Sequence, residues 1–383
     1  MKKYHPAAGT HLSELDTPVL FLDIEAVEKN YKAAAETYKN TACKMRQHTK
    51  NIKSPLLALM QIWAGGTVGG VCTAKVAEAE VMVHSGVTDI LIPNQVVTRD
   101  KIARMCSLSR LGDIKVCIDN EENLKDISAI AVEYQSSIGV LIEIDSQMSR
   151  AGVRDSSKAV QLAKLAVQLP GVDFRGVMSH QALRGYKGEE DRIETARVAI
   201  QVCLDAKEAI EAEGIEVEIV SSGETFSHDV ACDMEGVTEV EGGTYALMGT
   251  IYGFMEKFAI ANKVLSTIVS KPDAKIAIGD VGFRGLSWMK DKLPSVQGYN
   301  NIRVKNLLED HIVLESDDNM PLEIIKEAVQ VIAGRARVEV SGTVSLANMD
   351  DLSKIGIDCV SVGALTHSSK AADISMNFLL PRT

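Results

Sequence analysis

The segment Met45-Arg46-Gln47-His48-Thr49-Lys50 reads as a short strand ending in a lysine, and Lys50 is the candidate for a cofactor-carrying group. A lysine amine condenses with an aldehyde, so a lysine at a strand end can hold an aldehyde cofactor covalently. A His-x-Lys triplet by itself is more often a solvated surface feature, and the assignment rests on its neighbours. Ile142-Glu143-Ile144-Asp145 is an apolar strand followed by Arg150, whose guanidinium can pair with a phenolate or ring nitrogen of a bound heterocycle. Two turns of small residues, Ser221-Ser222-Gly223-Glu224-Thr225 and Glu241-Gly242-Gly243-Thr244-Tyr245, offer backbone N–H groups and hydroxyls to a phosphate. His180 and Gln181 end a further strand, where an imidazole can serve as acid or base or simply be a satisfied structural histidine. His228, Asp229 and Asp233 have a spacing that suggests a metal, but nothing else supports a site, a polar loop is the simpler reading, and no metal ligand is assigned.

The elements that must position these groups repeat a rhythm of apolar run, turn and amphipathic helix. Strand candidates are Lys44–His48, Val68–Thr73, Asp89–Pro93, Ile114–Ile118, Gly139–Ile144, Phe174–Ser179, Val217–Ser221 and Thr238–Leu247. Alternation of strands with helices implies a parallel sheet, and this number of units fits a closed (β/α)8 barrel of TIM type. Such barrels carry their chemistry at the C-terminal strand ends, near which Lys50, Thr73, Asn94, Asp119, Asp145, His180, Ser222 and Tyr245 fall. The two small-residue turns follow the seventh and eighth strands, the commonest phosphate site of such barrels.

The flanks read differently. Thr17–Asp23 is a leading strand, and Val264–Ser270, Ala274–Ile278, Arg303–Leu307 and Ile312–Leu314 are β segments that with it suggest a small β-rich second domain. Beyond them the pattern returns to βαβα, with helices Pro321–Ala333, Leu346–Gly356 and Ser369–Phe378 and strands Arg337–Val340 and Cys359–Val362. The expected organisation is an N-terminal strand over 1–24 that joins the β domain, a barrel over 25–250, a β-rich domain over 251–316 and an α/β tail over 317–383. A net charge of −11 argues against nucleic-acid or anionic-membrane partners. Seven scattered cysteines without paired spacing, and a first stretch without an apolar run, predict reduced thiols and a cytoplasmic location.

These pieces in this order resemble the fold-type III pyridoxal-phosphate enzymes, and within them the D-threonine aldolase, D-serine dehydratase and 3-hydroxy-D-aspartate aldolase group. The resemblance runs from about Asp16 to Leu314. It is carried by Asp16-Thr17-Pro18, His48-Thr49-Lys50, Gly70–Ala79, Glu143-Ile144-Asp145 with Arg150-Ala151-Gly152-Val153, Ser221–Thr225, Gly243–Ala246 and Asp280-Val281-Gly282. The loop from Asp145 to Gly152 is also similar to the arginine loop of alanine racemases.

The resemblance implies that Lys50 is the Schiff-base lysine and, once displaced, a base at Cα. It places Arg150 beside the phenolic oxygen, and Gln181, Ser222, Gly223, Thr225, Gly243, Thr244 and Tyr245 around the cofactor and its phosphate. It implies an alanine racemase-like barrel plus β domain, a homodimer, and lyase chemistry on a D- or β-hydroxy amino acid, as an aldolase or a dehydratase. Racemase- or transaminase-like proton transfer at Cα without a metal is an alternative. So are a non-catalytic PLP-binding protein and a phosphoribosyltransferase-related phosphate binder.

The family also implies a divalent metal held by a His-x-Cys or His-x-Asp pair. That pair is not found here; His311 precedes its expected place, Gly249 stands for a family aspartate, and His180 stands for a family tyrosine. The tail, through Asp318–Pro321, Glu339–Gly342 and Ser361–Ser368, resembles the end of nicotinate-nucleotide (quinolinate) phosphoribosyltransferase, which implies a further phosphate-binding turn.

Overall fold

In the computed structural model, residues 6–181, 188–287, 293–320, 339–341 and 359–361 are described. They fall into two compact units, of which Asp23–Ala261 is one and the residues on either side of it make up the other.

In the first unit, Asp23 accepts a hydrogen bond from the Ala26 N–H at 3.1 Å and starts helix α1 (Ile24–Tyr38), which buries Val27, Tyr31 and Ala34 on one stripe. A strand β1 (Val19–Leu22) precedes it, outside this unit. Strands β2 (Lys44–His48), β3 (Thr67–Cys72), β4 (Asp89–Ile92), β5 (Asp113–Ile118), β6 (Ile138–Ile144), β7 (Val172–Ser179), β8 (Ile219–Ser222) and β9 (Glu239–Val240) close into a barrel in chain order, every pair parallel. Helices α2 (Pro55–Ala64), α3 (Val76–His84), α4 (Arg99–Leu108), α5 (Glu121–Glu133), α6 (Ser156–Ala166), α7 (Glu189–Glu211) and α8 (His228–Asp233) fill the crossovers. The (β/α)8 barrel expected from the sequence is therefore present.

One strand differs. The eighth was expected over Thr238–Leu247, but β9 stops after Val240 and Thr244–Ala246 forms a 3-10 turn. Close packing accounts for the stop: a Cβ on Gly242 would lie 2.9 Å from Met45 Sδ, and one on Gly243 2.8 Å from the His48 carbonyl oxygen. The chain turns there because only glycine lets the backbone approach β2 so closely.

The barrel interior is layered. Gln47 faces outward and donates to the Tyr31 hydroxyl of α1 at 3.1 Å, so Arg46 and His48 face the axis. At the N-terminal end Arg46 donates to Glu239 and to Asp89, both at 2.8 Å, and Lys115 donates to Asp89 at 2.7 Å and Asp113 at 2.6 Å. Gly70 and Gly139 leave the space these long side chains occupy, since a Cβ would lie 2.7 Å from Arg46 Nη1 and 2.8 Å from Lys115 Cγ. Cys72, Leu91, Cys117, Leu141, Met178 and Ile219 fill the next layer.

In the second unit β1 pairs antiparallel with β10 (Asn262–Leu265). Strands β11 (Ile268–Asp273), β12 (Ile276–Gly279), β13 (Ile302–Leu307) and β14 (Ile312–Ser316) form an antiparallel sheet in the order β11-β12-β14-β13. Ala277, Val304, Leu307, Ile312, Leu314 and Met320 are its core. The expected single strand Val264–Ser270 is broken in two. The Ser266 hydroxyl and the Thr267 N–H both turn to Asp280 Oδ1, at 2.9 and 2.8 Å, and leave the sheet there. In the tail β15 (Glu339–Ser341) and β16 (Cys359–Ser361) pair in parallel; the three helices expected there lie outside the described residues. Among the described residues no helix is long and apolar enough to cross a membrane.

Candidate active site

Lys50 lies two residues past the end of β2, on a turn held at both sides. The Thr49 N–H and hydroxyl both donate to the Cys72 carbonyl at 2.9 Å, and the Lys53 N–H returns to the Thr49 carbonyl at 2.8 Å. Ser54 then caps α2, with Pro55 in its first turn. The exposed Lys50 is thus fixed at its root over the C-terminal mouth while its amine is reachable from solvent.

Arg150 is returned to the same mouth by a folded loop after β6. Asp145 Oδ1 accepts from the Met148 and Ser149 N–H groups at 2.9 and 3.0 Å, Asp119 accepts from Gly152 N–H at 3.0 Å, and the Val153 N–H closes on the Glu143 carbonyl at 2.8 Å. The Arg150 guanidinium meets Glu143 at 3.1 Å, and Glu143 also accepts from Gln95 at 2.6 Å.

The two small-residue turns lock together. Gly223 adopts φ +111°, a left-handed conformation suited to glycine. The Thr225 hydroxyl accepts from the Tyr245 N–H at 3.1 Å, and Asn51, next to Lys50, donates to the Thr244 hydroxyl at 3.3 Å. Ser222 and Gln181 form a buried frame with Ser179: Gln181 Nε2 donates to Ser179 Oγ at 3.0 Å and Ser222 Oγ at 3.1 Å. The Tyr245 ring lies among Tyr31 and Phe258, so this residue faces the mouth through its main chain.

Electrostatics tie the pieces to one locus. Burial pushes the His48 imidazole down to about 3, and the charges of Lys50 and His180 add to the effect. His180, half-buried, is pushed down to about 3 by burial, then by Lys50 and Arg150. Both rings are neutral at neutral pH. His180 was singled out from the sequence; His48 and Glu224 were quoted within motifs but given no role, since spacing does not show that they face Lys50.

The neutral histidines set an acid limit. Unfolded, a histidine titrates near 6.5; folded, His180 titrates near 3. Between those values the unfolded chain binds a proton the folded chain does not, so this contribution is full above pH 6.5 and is lost as pH falls. His180→Asn is expected to lose less stability than the parent on going from about pH 7 to about pH 4. Urea midpoints across that range check it, and parallel curves for the two proteins would contradict it.

The alanine racemase N-terminal domain family matches residues 22–250, and the chain belongs to that family. A 3-hydroxy-D-aspartate aldolase of Paracoccus denitrificans (strain Pd 1222) is 32% identical over 324 residues, 82% of this chain and 83% of that protein. A D-threonine aldolase of Arthrobacter sp is 34% identical over 282 residues, 72% of this chain and 74% of that protein. The crystal structure of D-threonine aldolase from Filomicrobium marinum superposes with a TM-score of 0.76 at 30% identity, covering 81% of this chain and 85% of that one. The quinolinate phosphoribosyl transferase C-terminal domain matches residues 296–377, beginning upstream of β13 and so ahead of the expected tail.

The family cofactor is pyridoxal 5'-phosphate, and the residues present fit it. Gly223 packs against Ala231 and Gly243 against His48, where a Cβ would lie 2.9 and 2.8 Å away, so the backbone of both turns is held close, and Asn51, next to Lys50, donates to the Thr244 hydroxyl of the second. The buried Gln181 Oε1, which has no hydrogen-bond partner, leaves an acceptor at the edge. Among the described residues no group of three or more His, Cys, Asp and Glu side chains is arranged to hold a metal ion.

Proposed function

We propose that this chain is a pyridoxal-phosphate-dependent lyase acting on a β-hydroxy D-amino acid, in the first instance as an aldolase that opens the Cα–Cβ bond. The observation that carries the reading is the lysine at the barrel mouth with two neutral imidazoles and an arginine facing it. The names of the aldolase relatives support the substrate class.

Lys50 would hold the cofactor covalently, with the turns Ser222–Thr225 and Gly243–Tyr245 around its phosphate, Gln181 at its edge and Arg150 beside its ring. Bound there, the cofactor supplies an electron sink for the pair left at Cα. Everything else falls to side chains of this chain. The Lys50 amine, when not bonded to the cofactor, would carry a proton to or from Cα. His180 accepts the β-hydroxyl proton as the Cα–Cβ bond opens, which releases an aldehyde; its ring is unprotonated at physiological pH, the form this role needs. The Glu143–Arg150 pair fixes the guanidinium at the mouth.

The protein acts as a cytoplasmic homodimer in this reading. Cys43, Cys72, Cys106, Cys117 and Cys203, buried and unpaired, support a reducing compartment.

The test is incubation of the loaded protein with D-threonine, D-serine and 3-hydroxyaspartate, with and without a divalent cation. Glycine and acetaldehyde from D-threonine are the expected products. Interconversion of D and L isomers without cleavage would replace the aldolase by a racemase. Lysine-bound cofactor with no substrate consumed would leave a binding protein.

A further inference from the structure

The carboxyl of Glu224 stands where it has no part in the chemistry proposed above. It belongs to the turn after β8, between Gly223 and Thr225, and it is half-buried. A reciprocal cap fixes both its backbone and its carboxyl: the Glu224 N–H donates to the Ser227 hydroxyl at 2.9 Å, and the Ser227 N–H donates to the Glu224 side chain, which leaves the carboxyl's second oxygen for a ligand. The turn it sits in is bolted to the turn after β9 by the Thr225–Tyr245 hydrogen bond, and that second turn packs on the residue before Thr49. Glu224 therefore cannot swing away with a mobile loop. Among the described residues, the titratable groups that face it are Lys50, beyond β2, and the Tyr252 phenol of the 3-10 turn Thr250–Tyr252.

An acidic residue in a phosphate cradle is an electrostatic conflict. A phosphate monoester carries about −1.5 to −2 charge near neutral pH, and a carboxylate beside it would repel it. The conflict disappears if the carboxyl is protonated, because a neutral acid donates its O–H to a phosphate oxygen. Burial makes that possible here: it pushes the Glu224 carboxyl up to about 7, against the pull of Lys50. The Tyr252 phenol, pushed up to about 12 by burial and by Glu224, stays neutral and adds no charge in this range.

We infer that Glu224 is a phosphate-side binding residue that must be protonated for tight cofactor binding, so that capture of the phosphate is coupled to uptake of one proton by this chain. The inference rests on the cofactor site proposed above. It makes cofactor loading pH-dependent on the phosphate side alone, independently of any effect on the Lys50 amine.

The experiment separates the two ends of the cofactor. Affinities of the full chain for pyridoxal phosphate and for pyridoxal, which lacks the phosphate, are measured by the visible band of the lysine-bound form at several pH values. Both ligands share the Lys50 chemistry, so the ratio of their Kd values isolates the phosphate. In the parent protein, Kd for the phosphate ester relative to pyridoxal should rise by up to about tenfold per pH unit above about pH 7. In Glu224→Gln the ratio should be flat and the phosphate ester should bind more tightly than to the parent at high pH. A flat ratio in both proteins, with the band present, overturns the Glu224 inference and leaves the cofactor site standing. No lysine-bound band with either ligand overturns the site, and the inference with it. If Glu224→Gln does not fold, calorimetry on the parent decides: binding measured in two buffers of different ionisation enthalpy should show greater proton uptake near pH 7.5 with the phosphate ester than with pyridoxal, by up to about one proton. Equal uptake overturns the inference.

Discussion

Lys50→Ala is expected to bind no cofactor covalently and to lose activity by at least about a thousandfold, because the nucleophile and the proton carrier at Cα disappear together. The fold should survive. Lys50 is exposed, and substitution at such a position changes stability by only about 0.5 kcal/mol. Loss of function can therefore be read without a folding artefact, by comparing urea midpoints of variant and parent. Borohydride reduction of the loaded parent followed by peptide mapping gives the positive half of the experiment. The neighbouring Lys53 is the internal control. It sits at φ +45°, is 69% exposed, and lies 3.9 Å from Glu78. Reduction should mark Lys50 and spare Lys53. A reducible adduct that persists elsewhere in Lys50→Ala would remove Lys50 from the site.

The barrel was legible in the sequence because most of its strands are continuous apolar runs bounded by turns, the signature of strands buried on both faces. Lys44–His48 is predicted to the residue, and Asp89–Ile92 differs at one end only. Where the reading failed, a hydrogen bond or a steric contact absent from the pattern decided the outcome. Gly242 and Gly243 end β9 against β2, and Asp280 bends the chain at Ser266 and Thr267. Those partners are far apart in sequence, and period-two patterning carries no trace of them.

The candidate site divides in the same way. Lys50, Arg150 and the two glycine turns are visible as residue types at strand ends, which any barrel brings to one mouth. What His48 and Glu224 face is not visible. Strand parity puts His48 toward the axis, but parity becomes usable only once Gln47 is known to meet Tyr31. The sequence singles out His180 as a residue type at a strand end, but the charge state of neither imidazole is legible in it. Their neutrality follows from burial beside Lys50 and Arg150, which is a property of the closed barrel.

The other large effect is expected at the opposite end of the barrel. Arg46→Met should destabilise the protein by about 3–5 kcal/mol, the range for breaking a buried ion pair by removing one partner. Arg46 and Glu239 side chains are each only 3% exposed, whereas Asp89, at 29%, can recover water. The cost therefore comes mainly from a Glu239 carboxylate left without its cation. Glu241 lies close by and is already pushed up to about 7 by burial and by the charge of Glu239, so it adds to the cost of leaving Glu239 charged. A buried carboxylate in that position takes up a proton, with a folded pKa above its unfolded one. Its penalty is then smallest at low pH and grows as pH rises through the ordinary carboxylate range. Urea midpoints for the variant should accordingly fall further behind the parent at about pH 8 than at about pH 5. Glu239→Gln added to Arg46→Met should recover much of the loss, because the uncompensated charge is gone; two effects that simply add would contradict the pairing. Cofactor binding gives the last discrimination. Arg46, Asp89, Lys115 and Glu239 join β2, β4, β5 and β9 below the core layer, and β2 and β9 are the strands whose ends carry Lys50 and the Gly243 turn. At denaturant concentrations well below its midpoint, Arg46→Met should still fix the cofactor on Lys50, whereas Lys50→Ala should fold as the parent does and fix none.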